Sequence, residues 1–88
     1  MGTPKIQSVN PLGEKRLLIK FANGVLKLYD CSQLLHRERF QLLNNEAFFK
    51  AVQVDPGGYG ISWNDDLDLS EHELWTNGED YELAQPGC

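Results

Sequence analysis

The sequence predicts a two-layer α+β sandwich built from antiparallel hairpins and short helices. Three observations carry this. Two alternating apolar runs flank Asn23-Gly24 between residues 14 and 30. A second pair of alternating runs flanks Pro56-Gly57-Gly58. Between and after them lie short segments with helix caps but no long helical period.

The elements follow in chain order. Lys5-Ile6-Gln7-Ser8-Val9 alternates as a strand, and Asn10-Pro11-Leu12-Gly13 reads as a turn. Asn23-Gly24 tolerates positive φ at both centres of a two-residue type I′ turn. That loop pairs Ala22 with Val25, Phe21 with Leu26, Ile19 with Leu28 and Leu17 with Asp30. Leu17, Ile19, Phe21, Leu26 and Leu28 then share the core face. The wet face carries Arg16, Leu18, Lys20, Val25, Lys27 and Tyr29, with Lys20 directly opposite Lys27, an unfavourable pair.

Asp30 and Ser32 are both suited to cap a helical turn through Gln33, Leu34 and Leu35. Residues 36–45 are irregular, with Phe40, Leu42 and Leu43 as expected buried anchors. Asn44 or Asn45 caps a short helix through Phe48 and Phe49. Val52, Val54, Ile61 and Trp63 share a face of the second hairpin, and Leu67 and Leu69 point inward. Ser70-Glu71-His72-Glu73 is a capping box, with Leu74 and Trp75 following and Gly78 as the stop. The expected domain spans residues 1–78, and residues 79–88 are read as an acidic, frayed tail.

The chain has 88 residues, the size of one domain with a small core. No apolar run approaches the length of a membrane span, and no signal peptide is visible. The two cysteines, Cys31 and Cys88, sit far apart, which argues against a disulfide framework and for a cytoplasmic protein. Net charge is −5, unevenly placed. All eight Lys and Arg fall within residues 1–50, against four acids. Residues 51–88 hold nine acids and no base. Either the halves interleave and neutralise one another, or the acidic half faces a basic partner.

Motif tests for chemistry fail. Pro56-Gly57-Gly58-Tyr59-Gly60 lacks the lysine and the following helix of a phosphate loop. Asn64, Asp65, Asp66 and Asp68 lack the central glycine and closing glutamate of a calcium loop. Cys31 and His36 lack further zinc ligands in a motif, and Cys31 has no partner base. The chain is therefore read as no enzyme, with no cofactor and no metal site.

Two surfaces remain as candidates. The first is Tyr59, Asp65, Asp66, Asp68 and Glu71, for a small basic partner protein or a second copy of the chain. The alternative is the basic hairpin face Arg16, Lys20, Lys27 and Tyr29, for nucleic acid. The negative total charge argues against nucleic acid, and nothing suggests a membrane partner.

Val9-Asn10-Pro11-Leu12, then Leu18 to Gly24, then Phe49 to Trp63, then Asp68-Leu69 and Leu74 form a recognisable pattern. Val54-Asp55-Pro56-Gly57-Gly58-Tyr59-Gly60-Ile61-Ser62-Trp63 is its most specific part. The chain resembles the small bacterial family catalogued as domain of unknown function twenty-four forty-two. The resemblance implies a two-layer α+β domain, found alone or fused to a helix-turn-helix. It also implies a neighbouring small protein, in an arrangement similar to toxin–antitoxin pairs. It implies no catalytic residues.

Overall fold

A computed structural model describes residues 3–81. Two antiparallel sheets and a set of short helical segments form two layers, and the molecule is only 19 Å across its shortest axis. The main sheet has the order β1-β2-β3-β7, with β1 Ile6–Leu12, β2 Arg16–Phe21, β3 Leu26–Asp30 and β7 Glu79–Asp80. The second sheet is β4 Gln53–Val54, β5 Gly60–Ser62 and β6 Asp68–Ser70. Helices α1, Glu46–Lys50, and α2, Glu71–Asn77, join two 3-10 segments, Cys31–His36 and Glu38–Asn44. The α+β class and the two layers agree with the sequence reading.

The core lies between the main sheet and everything else. Ile6, Leu17, Ile19, Phe21 and Tyr29 project from its inner face. Leu34, Phe40, Leu43, Phe49, Ile61, Trp63, Leu67, Leu69 and Leu74 meet them from the second layer. Trp63 is buried, as expected, and its indole N–H donates to the Phe49 carbonyl at 3.0 Å. Val54 pairs with Ile61, which keeps the two on the shared face that the alternation implied. Asn45 caps α1 by accepting from the Phe48 N–H, and Ser70 caps α2 by accepting from that of Glu73.

Four expectations are corrected. The first hairpin closes with three residues, Ala22-Asn23-Gly24, because the Phe21 N–H donates to the Val25 carbonyl at 2.9 Å. Of that loop only Gly24 takes positive φ, at 90°. This is the three-residue loop with a left-handed glycine. The register shifts by one, so Leu17 faces Tyr29, Leu18 faces Leu28, Ile19 faces Lys27 and Lys20 faces Leu26. Every side chain of β3 changes face. The shift also removes the Lys20–Lys27 clash.

The turn expected at residues 10–13 comes later, at Gly13–Lys15. Pro11 sits inside β1, an edge strand of the main sheet, where a missing N–H is tolerated. Leu42 is 55% exposed rather than buried. Its segment is a 3-10 helix, in which residues three apart share a face, so Phe40 and Leu43 point inward and Leu42 does not. Glu79 and Asp80, placed in the tail by the sequence, form β7 beside Lys27 and Leu28. Tyr81 follows them with its N–H on the Leu26 carbonyl, and 82–88 lie outside the described residues.

Candidate interaction surface

The register shift divides the basic hairpin face. Arg16 and Lys20 stay on the outer side of the main sheet, but Lys27 and Tyr29 turn inward. Tyr29 is buried and its hydroxyl donates to Glu73 Oε2 at 2.8 Å. Burial, then this bond to a carboxylate, holds its phenol well above the usual range. The ammonium of Lys27 lies 4.6 Å from the Trp75 ring centre and 2.8 Å from Asp80 Oδ1. Neither residue is available to stack on or pair with a strand of nucleic acid.

The acidic candidates also separate. Tyr59 is 62% exposed, as its place in the glycine turn suggested. It lies beneath the Lys5 ammonium, 4.1 Å from the ring centre. Lys5 Nζ also bonds Glu71 Oε1 at 2.9 Å, so Glu71 is engaged within the chain. The Glu71 N–H donates to the Tyr59 carbonyl, which places both at one end of the β5–β6 hairpin. Asp65 and Asp66 occupy its other end, where Asn64 Oδ1 accepts from the Asp66 and Leu67 N–H groups. Asp68 is exposed on β6 between them. The Lys5–Glu71 and Lys27–Asp80 pairs show basic and acidic halves interleaving, so part of the charge asymmetry is settled internally.

Two shallow depressions of about 260 and 300 Å3 share Leu34, Arg37 and Glu73 between the first 3-10 segment and α2. They sit at or below the size of typical ligand pockets. Cys31 is fully buried, and burial, with Asp30 beside it, pushes its thiol up to about 12, the wrong direction for a nucleophile. Among the described residues no three His, Cys, Asp or Glu side chains come together as a metal site, and no helix is long and apolar enough to cross a membrane.

The surface that sequence reasoning missed is the outer face of the main sheet. Parity places Leu12, Leu18, Leu26 and Leu28 there, with Arg16, Lys20, Asp30 and Glu79 around them. The Tyr81 N–H donates to the Leu26 carbonyl, so the ladder continues and Tyr81, 37% exposed, flanks Leu26. Leu18, Leu26 and Leu28 are half-buried, yet none packs against the core. Leu18 and Leu28 are direct cross-strand partners at the centre of the patch. The one signal in the sequence was the Lys20–Lys27 conflict in the two-residue register. Moving by one residue resolves it and brings the leucines out.

The fold is thus a small two-layer α+β domain with one sheet face that no described residue covers. The chain belongs to the family described as Protein of unknown function (DUF2442), which matches residues 6–80. No curated protein and no solved structure matches the chain.

Proposed function

We propose that the chain is a protein-interaction module, and not an enzyme, that works through the outer face of its main sheet. The observation that supports this is the leucine patch of β2 and β3, ringed by charged side chains. An apolar centre with a polar rim is the anatomy of a protein contact, and a patch of this kind on a small domain marks an interaction site. The two-protein arrangement that the family resemblance implies needs such a surface. Nucleic acid is disfavoured because Lys27 and Tyr29 are engaged on the inner side.

The test is a pair of substitutions, Leu18→Lys and Leu28→Lys, each read by thermal melting and by co-purification from the native host. A face left open within the chain predicts a loss of no more than about 1 kcal/mol, the worth of the Leu18–Leu28 cross-strand pair. It also predicts that any protein retained by the wild type is lost. A large fall in Tm would mean that the face is covered within the chain. Unchanged co-purification would remove the patch from the contact.

A further inference from the structure

We propose that the occupant of this outer face is a second copy of the chain, packed sheet on sheet about a two-fold axis that runs along the strands between β2 and β3. This rests on the interaction-module reading and names its partner. The argument comes from the arrangement of side chains on the face. One row, from β1 to β3, reads Leu12, Arg16, Asp30. The next, reaching β7, reads Asn10, Leu18, Leu28, Glu79. The third reads Ser8, Lys20, Leu26, with Tyr81 flanking Leu26. Two copies facing each other across a two-fold axis must present the same patch to itself.

Only two orientations keep the strands roughly aligned, and the charges choose between them. An axis across the strands lays each column on itself with the rows reversed. Arg16 then meets Lys20 of the other copy, twice, and like charges facing one another are costly. An axis along the strands keeps the rows and exchanges the columns. Arg16 then faces Asp30, and Leu18 faces Leu28, each contact occurring twice. Lys20 lies over Leu26, where its methylene stem covers the leucine and its ammonium reaches the rim. Asp30 suits this role. It stays charged, because its hydrogen bonds with Ser32 hold its carboxyl below the ordinary range. Packed sheets hold their strands about 30° apart, so the axis lies within about 15° of β2 and β3.

The face is small. Its strands are about 4.8 Å apart and rise about 3.3 Å per residue, so it covers less than the roughly 800 Å2 per partner of a standard interface. The dimer is accordingly weak, with a dissociation constant on the order of 100 μM.

Sedimentation velocity at roughly 10 μM and roughly 500 μM brackets that value. The expected result is a monomer at the lower concentration and a dimer at the higher, with Leu28→Lys monomeric at both and still melting cooperatively. The axis is tested in a Cys88→Ser background, since Cys31 is buried. A short bis-maleimide should join Leu26→Cys of one copy to Leu26→Cys of the other, because the axis along the strands keeps that row over itself and leaves the two sites one strand spacing apart, about 11 Å in all. The axis across the strands would carry the second site four residues along, to roughly 17 Å, so a dimer in which Leu26→Cys does not link to itself would overturn the axis. A wild-type chain that stays monomeric at the upper concentration overturns the second copy as occupant. In that event, loss of a host partner in Leu28→Lys would leave the interaction-module reading standing, and retention would sink that reading too.

Discussion

The hydroxyl of Tyr29 on β3 donates to Glu73 Oε2 on α2 at 2.8 Å, binding the main sheet to the helix that covers it. Glu73 holds the third position of the Ser70 capping box, and the Ser70 side chain accepts from its N–H at 3.1 Å. Its carboxylate goes to the tyrosine and not back to the Ser70 N–H as the capping box expected, so Glu73 serves the cap through its N–H and anchors the layer through its side chain. Tyr29→Phe removes the donor and leaves a partly buried carboxylate without it. The expected loss is about 1.5–3 kcal/mol, the range for a hydrogen bond to a charged group. Glu73→Gln keeps an acceptor and should cost less. Urea unfolding of the two variants checks the order, and an undiminished Tyr29→Phe would show that the bond contributes nothing.

Two glycines with positive φ should respond very differently to alanine. Gly58, at φ 76°, lies against β1, and a Cβ there would stand 2.6 Å from the Ile6 carbonyl oxygen. Gly24, at φ 90°, has open space around it. Gly24→Ala carries only the left-handed backbone penalty, about 1 kcal/mol. Gly58→Ala adds a backbone collision to that penalty, for about 2–4 kcal/mol in all. Thermal melting of both variants measures the gap. Equal losses would mean that the close approach of the Pro56–Gly58 turn to β1 is not what holds the second sheet in place.

Local chemistry was legible in the sequence where it was set within a few residues. The Asn45 and Ser70 caps, the shared face of Val54 and Ile61 and the burial of Trp63 all follow from spacing alone. The errors came where two local solutions fit equally well. Asn23-Gly24 suits a two-residue and a three-residue loop, and the choice decides the face of every residue in β3. Leu26, Leu28, Lys27 and Tyr29 were all placed on the wrong side for that single reason. Pro11 marks a turn or an edge strand, and only the sheet order separates them. The apolar outer face was therefore hidden behind a register error. The engagement of Glu71 by Lys5 joins residues 66 apart in the chain, which no local pattern encodes.

The connection between β1 and β2 places a residue other than glycine in a left-handed conformation twice over. Glu14 and Lys15 both have φ of 60°. Lys15 gains from its position, since Nζ reaches Glu46 Oε1 at 3.2 Å and lies 5.6 Å from the Phe49 ring centre. Glu14 is almost wholly exposed, and its Oε1 is 3.9 Å from Arg16 Nη2, an ion pair of little worth. Glu14→Gly should therefore stabilise the chain by up to about 1 kcal/mol. Lys15→Gly should gain less or lose, because it gives up the contacts with Glu46 and Phe49. Differential melting of the two variants checks the sign of each.

Cys31 gives the fold a dependence on alkaline pH. Its thiol is fully buried, and burial followed by the charge of Asp30 raises it from an ordinary value near 9 to about 12. A group whose folded value is raised keeps its full stabilising effect below the unfolded value. That effect is lost as pH rises, because the unfolded chain releases a proton that the folded chain retains. Stability should thus be level up to about pH 9 and then fall. One such group gives at most about 1.4 kcal/mol per pH unit. Tyr29 is raised in the same direction, but from an ordinary value of 10, so it joins only at higher pH. Between pH 9 and 10 the slope belongs mainly to Cys31. Cys31→Ala opens a small cavity and lowers stability at every pH, so the comparison is of slopes and not of absolute Tm. The variant should melt with a flatter dependence than wild type across that interval. Identical slopes would show that some other group sets the alkaline limit, and rapid modification of Cys31 by a thiol reagent in the folded protein would show that it is not buried at all.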